Sequence, residues 1–396
     1  METQLPNYYE FFNTVKINSG EDALGTISYE LVRRNAFRPL LITDKGIAQS
    51  GILKTVTDSF VGTDTNVSAI YDDTPIDSSI KAVNEIAELY RKKNCDSIIA
   101  LGGGSVIDTA KGVNIIISEG TTDIAEFMGV NRLRKQQKPF IVIPTTSGTG
   151  SEVTQVAVIS DPEKNIKMPF TSPLLLPSVA ILDPRSTLTL PPKLTAATGM
   201  DALTHAIEAF SCLQKNPLSD AYALAAIKLI SNNLLNVVKN GKDTNGRLAL
   251  ANASLMAGIA FSNSMVGAVH AISHACGGIA HVPHGVANSI LLPYVMKFNL
   301  DFTRNTYSEL LLSLAGEEVF VKTPTDERAK KSIETVLLLT HALNKACGLP
   351  LKLKDAGVNY DQLQKIAEAA LVDGAMIVNP KELQFDDVYT ILNSAF

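Results

Sequence analysis

CDSIIALGGGSVIDTAKGVNIIIS (95–118) is the stretch that decides the fold. Its first part is a short apolar run of strand length, bounded by turn signals. The run passes directly into Gly102, Gly103 and Gly104, and Ser105 then opens a segment that continues as helix. A strand, three glycines and a helix start allow backbone N–H groups to approach a phosphate. Glycine has no Cβ to obstruct that approach, and the helix dipole favours the anion. The loop is not the GxGxxG fingerprint, since Ile107 stands where the third glycine would be, and no GK[ST] follows to make a P-loop. Taken alone, three glycines also suit a plain tight turn.

The same alternation extends on either side. RPLLITDKG (38–46) reads as a buried strand ending in a turn, and NVSAIYDD (66–73) as the next strand. IDSSIKAVNEIAELYRKKN (76–94) carries Ile76, Ile80, Val83, Ile86, Ala87 and Tyr90 at helical spacing. PFIVIPTTSGTGSE (139–152) is a strand running into a loop of small residues with hydroxyls. Strands alternating with helices predict a parallel sheet covered on both faces, with ligands beyond the carboxyl ends of the strands. Thr43–Gly46, Gly102–Ser105 and Thr145–Ser151 fall at that edge. Asp44 could accept bonds from an adenosine ribose and repel a 2′-phosphate, or simply cap the next helix. Thr145, Thr146, Ser147 and Thr149 are donors suited to ribose or nicotinamide amide groups, or members of a plain polar loop.

The second half has a different texture. Twelve of the 18 prolines precede Lys193, and none lies between Asp220 and Val282. LDPRSTLTLPPK (182–193) reads as the joint. The expected division is an α/β domain over 1–186 and an all-α domain over 187–396. Five of the six histidines lie between Asp201 and His284. Asp201 and His205 are four apart in GMDALTHAIEA, and His270 and His274 repeat that spacing in GAVHAISHACGG. Residues four apart share a helix face. His284 follows in HVPHG. One carboxylate and several neutral imidazoles in Ala-rich surroundings are costly unless paired, and suit Fe²⁺ or Zn²⁺.

Composition narrows the classes. A net charge of −5 gives no electrostatic footprint for nucleic acid, and Arg132, Arg134, Lys135 and Lys138 read as a solvated loop. Cys95, Cys212, Cys276 and Cys347 form no CxxC and suit a reducing compartment. METQLPNYYEFF lacks the pattern of a signal peptide, and no apolar segment is expected to span a membrane. A cytoplasmic protein is expected.

These residues carry a resemblance. ITDKG, LGGGSVIDTAKG, IPTTSGTGSEVT, TAATGMDALTHAIEA, GAVHAISHACGGIAHVPHGVANSILLP and NPKELQFDDVYTILNSAF make the chain similar, over nearly its whole length, to the iron-containing (group III) alcohol dehydrogenases. The resemblance implies a Rossmann-like NAD-binding domain followed by an all-α metal-binding domain, the dehydroquinate synthase-like arrangement. It implies Asp201, His205, His270 and His284 as metal ligands, and His274 as a non-ligand histidine that relays protons. NAD contacts would fall on Asp44, Thr74, Gly103, Gly104, Ser105, Thr145, Thr146, Thr149, Thr154 and Lys167. Thr74-Pro75 stands where relatives often have Asn-Pro, and Lys381 makes NPK of the more usual NPR. No role attaches to His281 or His341. The implied activity is hydride transfer between a small primary alcohol and NAD, with the metal as Lewis acid. A homodimer or higher homo-oligomer is expected. The alternatives are a lyase or cyclase like dehydroquinate synthase, which uses NAD and a metal without net turnover of the cofactor, and a hydroxyacid-oxoacid transhydrogenase.

Overall fold

The computed structural model describes residues 6–164 and 166–396; the start of METQLP (1–5) and Asn165 lie outside the described residues. The chain divides into two compact units, Phe12–Leu190 and Pro191–Phe396, the latter joined by the N-terminal segment ending at Phe11.

The first unit is built on a parallel sheet. Its strands are β1 (Lys16–Ser19), β2 (Pro39–Ile42), β3 (Ala69–Tyr71), β4 (Ser97–Gly102), β6 (Phe140–Pro144) and β9 (Val179–Leu182), in the order β1-β9-β6-β4-β2-β3. Alternate residues of β4 enter different cores. Ile98 and Ala100 join Leu40, Ile42 and Val142 beneath the helices Ile80–Lys92 and Gly104–Glu119. Ile99 and Leu101 join Leu41, Ile141 and Ile181 against Ile27, Leu31 and Val56 on the other face. Both faces are covered, so the central strands read as unbroken apolar runs. The order changes direction at β2, which pairs with β3 on one side and β4 on the other. The loops after β2 and β4 therefore flank a topological switch point, where such sheets take ligands.

A second sheet was not anticipated: β5 (Gly129–Val130), β7 (Val156–Asp161) and β8 (Ile166–Thr171), ordered β5-β8-β7. β7 packs Ala157 and Ile159 inward and leaves Val158 exposed, which is the alternation of a one-sided strand. β1 and β9 also went unread.

The second unit is helical: Pro192–Ser211, Pro217–Lys239, Thr244–Ser262, Ala268–Ala280, His284–Lys322, Arg328–Cys347, Leu363–Leu371 and Phe385–Ala395. The long helix breaks its regular geometry at Thr303 and Gly316. By length and composition Pro217–Lys239 could cross a membrane, contrary to the expectation that no segment would. Here Ala223, Ala226, Ile227, Ile230, Leu234 and Val237 bury one face of it in the unit's core.

One close approach fixes this core around the histidines. A Cβ on Gly285 would lie 2.4 Å from the carbonyl oxygen of Ala197 and 3.3 Å from the Asp201 side chain. A backbone oxygen cannot rotate aside as a side chain can, so only glycine lets helix His284–Lys322 start against helix Pro192–Ser211. Gly285→Ala is expected to cost about 1–3 kcal/mol, read as a lowered urea midpoint. Gly278→Ala, where a Cβ meets nothing within 4 Å, should leave that midpoint unchanged or slightly raised.

Candidate metal and cofactor sites

Three helices of the second unit deliver the cluster. Asp201, His205 and Glu208 come from Pro192–Ser211 at spacings of four and three, all on one buried face. His270 and His274 come from Ala268–Ala280, and His284 is the first residue of the helix that follows Pro283. One ligand atom from each of Asp201, His205, His270 and His284 can be chosen so that all four lie within 4.8 Å of one another. Asp201 Oδ1 lies 3.4 Å from His284 Nε2, 3.9 Å from His270 Nε2 and 4.0 Å from His205 Nδ1. Ligands about 2.1 Å from a tetrahedral cation stand roughly 3.4 Å apart, so a small contraction would close this shell. One carboxylate with three imidazoles suits a borderline divalent ion. The residues present therefore fit such a cation.

The surroundings keep the imidazoles in a ligating form. Burial, then the neighbouring imidazoles, holds His270 well below the ordinary histidine range, so it is neutral. Its Nδ1 bonds to Glu208 Oε2 at 2.5 Å, which leaves Nε2 turned towards Asp201. Glu208 also accepts from the Val269 backbone N–H at 2.7 Å, and burial pushes its carboxyl up to about 7. Asn288 Nδ2 donates to Asp201 Oδ1 at 2.7 Å. His284 Nδ1 lies 3.2 Å from Ser273 Oγ. Phe261 stacks on His205 with ring centroids 4.3 Å apart.

His274 stands apart from the four. Its side chain is 48% exposed, its ring stacks on His284 at 5.2 Å, and its Nδ1 lies 2.8 Å from Asp373 Oδ2. Burial raises Asp373, but the bond and charge of His274 outweigh it and hold the carboxyl below its ordinary value. His281 is exposed and ends its helix in the left-handed conformation, and His341 is exposed on another helix. Burial pushes the Cys276 thiol up to about 12, which leaves it inert at neutral pH.

In the first unit, Gly103 caps helix Gly104–Glu119 with extended backbone and offers no side-chain cap, while Ser78 Oγ donates to the Ser105 carbonyl at 2.8 Å. Asp44 does cap the next helix: its Oδ1 accepts from the Ile47 N–H at 2.9 Å. Ser105 bonds to the Ile76 carbonyl. Thr74 is buried with its hydroxyl unpartnered. Thr145 continues β6, with its N–H on the Gly102 carbonyl at 3.1 Å. Thr146 and Thr149 face Gly103 and Gly104, so the two loops touch. Thr154 is buried, its hydroxyl 3.0 Å from the Lys111 ammonium, and Lys167 is exposed on β8.

Four site residues had not been singled out. Glu208 was legible as the next turn after Asp201 and His205, and Asn288 as the fourth residue after His284. Phe261 and Asp373 carry no local signal, since they reach the histidines only through the packing of other helices.

A histidine-carboxylate cluster on a helical unit, and a glycine turn at the switch point of a parallel sheet, suit an enzyme that uses a metal and a dinucleotide. Residues 14–184 match the family model for iron-containing alcohol dehydrogenase, and residues 195–396 match that for the C-terminal part of the Fe-containing alcohol dehydrogenase family. The chain is 36% identical over 379 residues to lactaldehyde reductase of Escherichia coli, covering 95% of this chain and 97% of that one. It is similar to the crystal structure of 1,3-propanediol oxidoreductase, with TM-score 0.93 and 34% identity over 98% of this chain and all of that one. It is also similar to sulfoacetaldehyde reductase from Bifidobacterium kashiwanohense in complex with NAD⁺, with TM-score 0.87 and 28% identity over 98% of this chain and 99% of that one. The chain belongs to the iron-containing alcohol dehydrogenase family, and its cofactors are NAD(H) and a divalent metal.

Glu208→Gln keeps an acceptor for His270 but removes its charge. It is expected to weaken cation affinity about 10- to 100-fold, measured by competition with a chelator.

Proposed function

We propose that this protein interconverts a small primary alcohol and its aldehyde, with Asp201, His205, His270 and His284 holding the cation. The observation that carries this reading is the convergence of those four side chains from three helices. When bound, a divalent cation supplies a Lewis acid for the reacting oxygen, and NAD(H) accepts or donates the hydride. Oxidation would also require a base to take the alcohol's hydroxyl proton. His274 serves as that base. The bond to Asp373 keeps the proton on Nδ1, so Nε2 is free to accept. Its half-exposed ring then passes the proton to water, and reduction runs the same relay backwards.

The dinucleotide is assigned to the unit Phe12–Leu190 and the cation to the helical unit Pro191–Phe396, a boundary four residues beyond the expected 186/187. Gly103, Gly104 and Ser105 take the pyrophosphate on uncapped backbone N–H groups. Thr74, Thr145, Thr146, Thr149 and Lys167 line the rest of the cofactor, with Thr154 behind them. Asp44 caps its helix through Oδ1, which leaves Oδ2 for the adenosine ribose. The relatives named above are reductases and an oxidoreductase, which favours this reading over a lyase, a cyclase or a transhydrogenase. Four free thiols support a cytoplasmic protein, and the net charge of −5 speaks against a nucleic-acid partner. A homodimer rests on the family resemblance alone.

The test is a panel of small alcohols and aldehydes with NAD(H), followed at the NADH absorbance, on stripped protein and on protein refilled with Fe²⁺ or Zn²⁺. Turnover should depend on refilling. Asp201→Ala and His270→Ala should lose metal, whereas His274→Ala should keep it and slow turnover by about 10²- to 10⁴-fold. Equal metal content and full activity in all three variants would reject the assignments.

Asp44 sets a second expectation. NADH should be preferred to NADPH, and Asp44→Gly should narrow the kcat/KM ratio between them. An unchanged ratio would mean that the carboxylate serves only as a helix cap.

A further inference from the structure

The NPK turn (379–381) takes no part in the chemistry above. Asn379 is buried, and its amide uses both lone pairs and both N–H bonds. Oδ1 accepts from the Ala268 N–H at 3.2 Å and from Asn299 Nδ2 at 3.0 Å. Nδ2 donates to Asn299 Oδ1 at 2.8 Å and to the Lys381 carbonyl at 2.6 Å. Asn299 is buried too, on the long helix His284–Lys322. The Lys381 ammonium lies 3.8 Å from the ring centroid of its neighbour Phe298, where the negative face of the ring attracts it. The turn therefore grips the long helix and, through Ala268, the start of helix Ala268–Ala280.

That second grip matters because helix Ala268–Ala280 has no cap of its own. It begins after Gly267, which has no side chain to offer its first N–H groups. Two outside groups take that part, Asn379 Oδ1 on Ala268 and Glu208 Oε1 on Val269. A Cβ on Gly267 would meet these same oxygens at 3.1 and 3.0 Å. The helix carries His274, and the segment that ends at Asn379 carries its partner Asp373. Little apolar burial holds this segment: Val372 is 87% and Ile377 80% exposed, and only Ala375 and Val378 of the run Gly374–Val378 are buried. Upstream, helix Leu363–Leu371 anchors it in the core through Ile366, Ala367 and Ala370. Downstream, the anchors are polar, namely the Val378 carbonyl on the Leu213 N–H at 2.9 Å and the amide of Asn379.

We infer that Asn379 is a positioning residue for the Asp373–His274 pair. By tying the end of segment 373–379 to the start of the helix that carries His274, it keeps carboxylate and imidazole in register. The inference rests on the reading of His274 as the base. Its signature is dependence on that imidazole. A turn that only stabilised the fold would lower kcat by the same factor whether or not His274 were present. A turn that acts through Asp373 loses its effect once the imidazole is gone.

The test is a double-mutant cycle on metal-refilled protein. It reads kcat and KM with an alcohol that the wild type oxidises, and cation affinity by competition with a chelator. Asn379→Ala should lower kcat about 10-fold and leave KM and cation affinity within about twofold. In the His274→Ala background the same substitution should change kcat by less than about twofold. Asn299→Ala, which removes the partner amide, should act in the same direction by less. It decides the matter if Asn379→Ala does not fold, judged by circular dichroism. Equal losses in both backgrounds, or no loss in a folded variant, would overturn the inference. So would a matching loss of cation affinity, which would place the effect on His270. Wild type that oxidises no alcohol, or full kcat in His274→Ala, would instead reject the reading beneath it.

Discussion

A carboxylate buried among imidazoles is the constraint on which the helical unit depends. Asp201 is 3% exposed, and the side chains about it are His205, His270, His284 and the amide of Asn288. A single amide donor does little to offset a buried negative charge, whereas a divalent cation at the same point would neutralise it and satisfy the imidazole lone pairs. The surrounding packing keeps those four groups converged. Glycine at 285 lets two helices meet at van der Waals distance beside Asp201, and Glu208 holds the His270 ring so that Nε2 faces inward.

The α/β unit solves a different problem with related means. The groups proposed to meet the dinucleotide are mostly backbone N–H and hydroxyl, which can act together only if the loops carrying them are held still. Strand pairing fixes where each loop begins: Thr145 leaves β6 with its N–H bonded to the Gly102 carbonyl, so the threonine loop starts beside the glycine turn. Beyond that point the sheet no longer helps. Lys111 and Asp108 take over, binding the outgoing segment through three carbonyls, a hydroxyl and an amide.

The two histidines that share one helix show how environment divides labour among identical side chains. His270 is buried, neutral and paired to Glu208, while His274, one turn on, is half exposed and paired to Asp373. The first arrangement fixes a lone pair, and the second leaves an imidazole open to solvent. Neither carboxylate partner comes from the histidines' own helix.

Much of this could be read along the chain. Unbroken apolar runs at 98–101 and 140–143 announced central parallel strands because both faces of the sheet are covered, and helical spacing put Asp201 with His205. The edge strand β1, its neighbour β9 and the small second sheet escaped; KINS of β1 holds a single apolar residue, Ile17, and so no pattern to read. Distance along the chain separates the remainder. Only the packing of helices brings Phe261 onto His205 and Asp373 onto His274, and only the fold directs Lys111 into a ring of carbonyls about 40 residues ahead. Local pattern determined which residues could act, because periodicity and glycine content are local properties. Tertiary structure decided which of them meet, because a buried contact is made by elements that the sequence holds far apart.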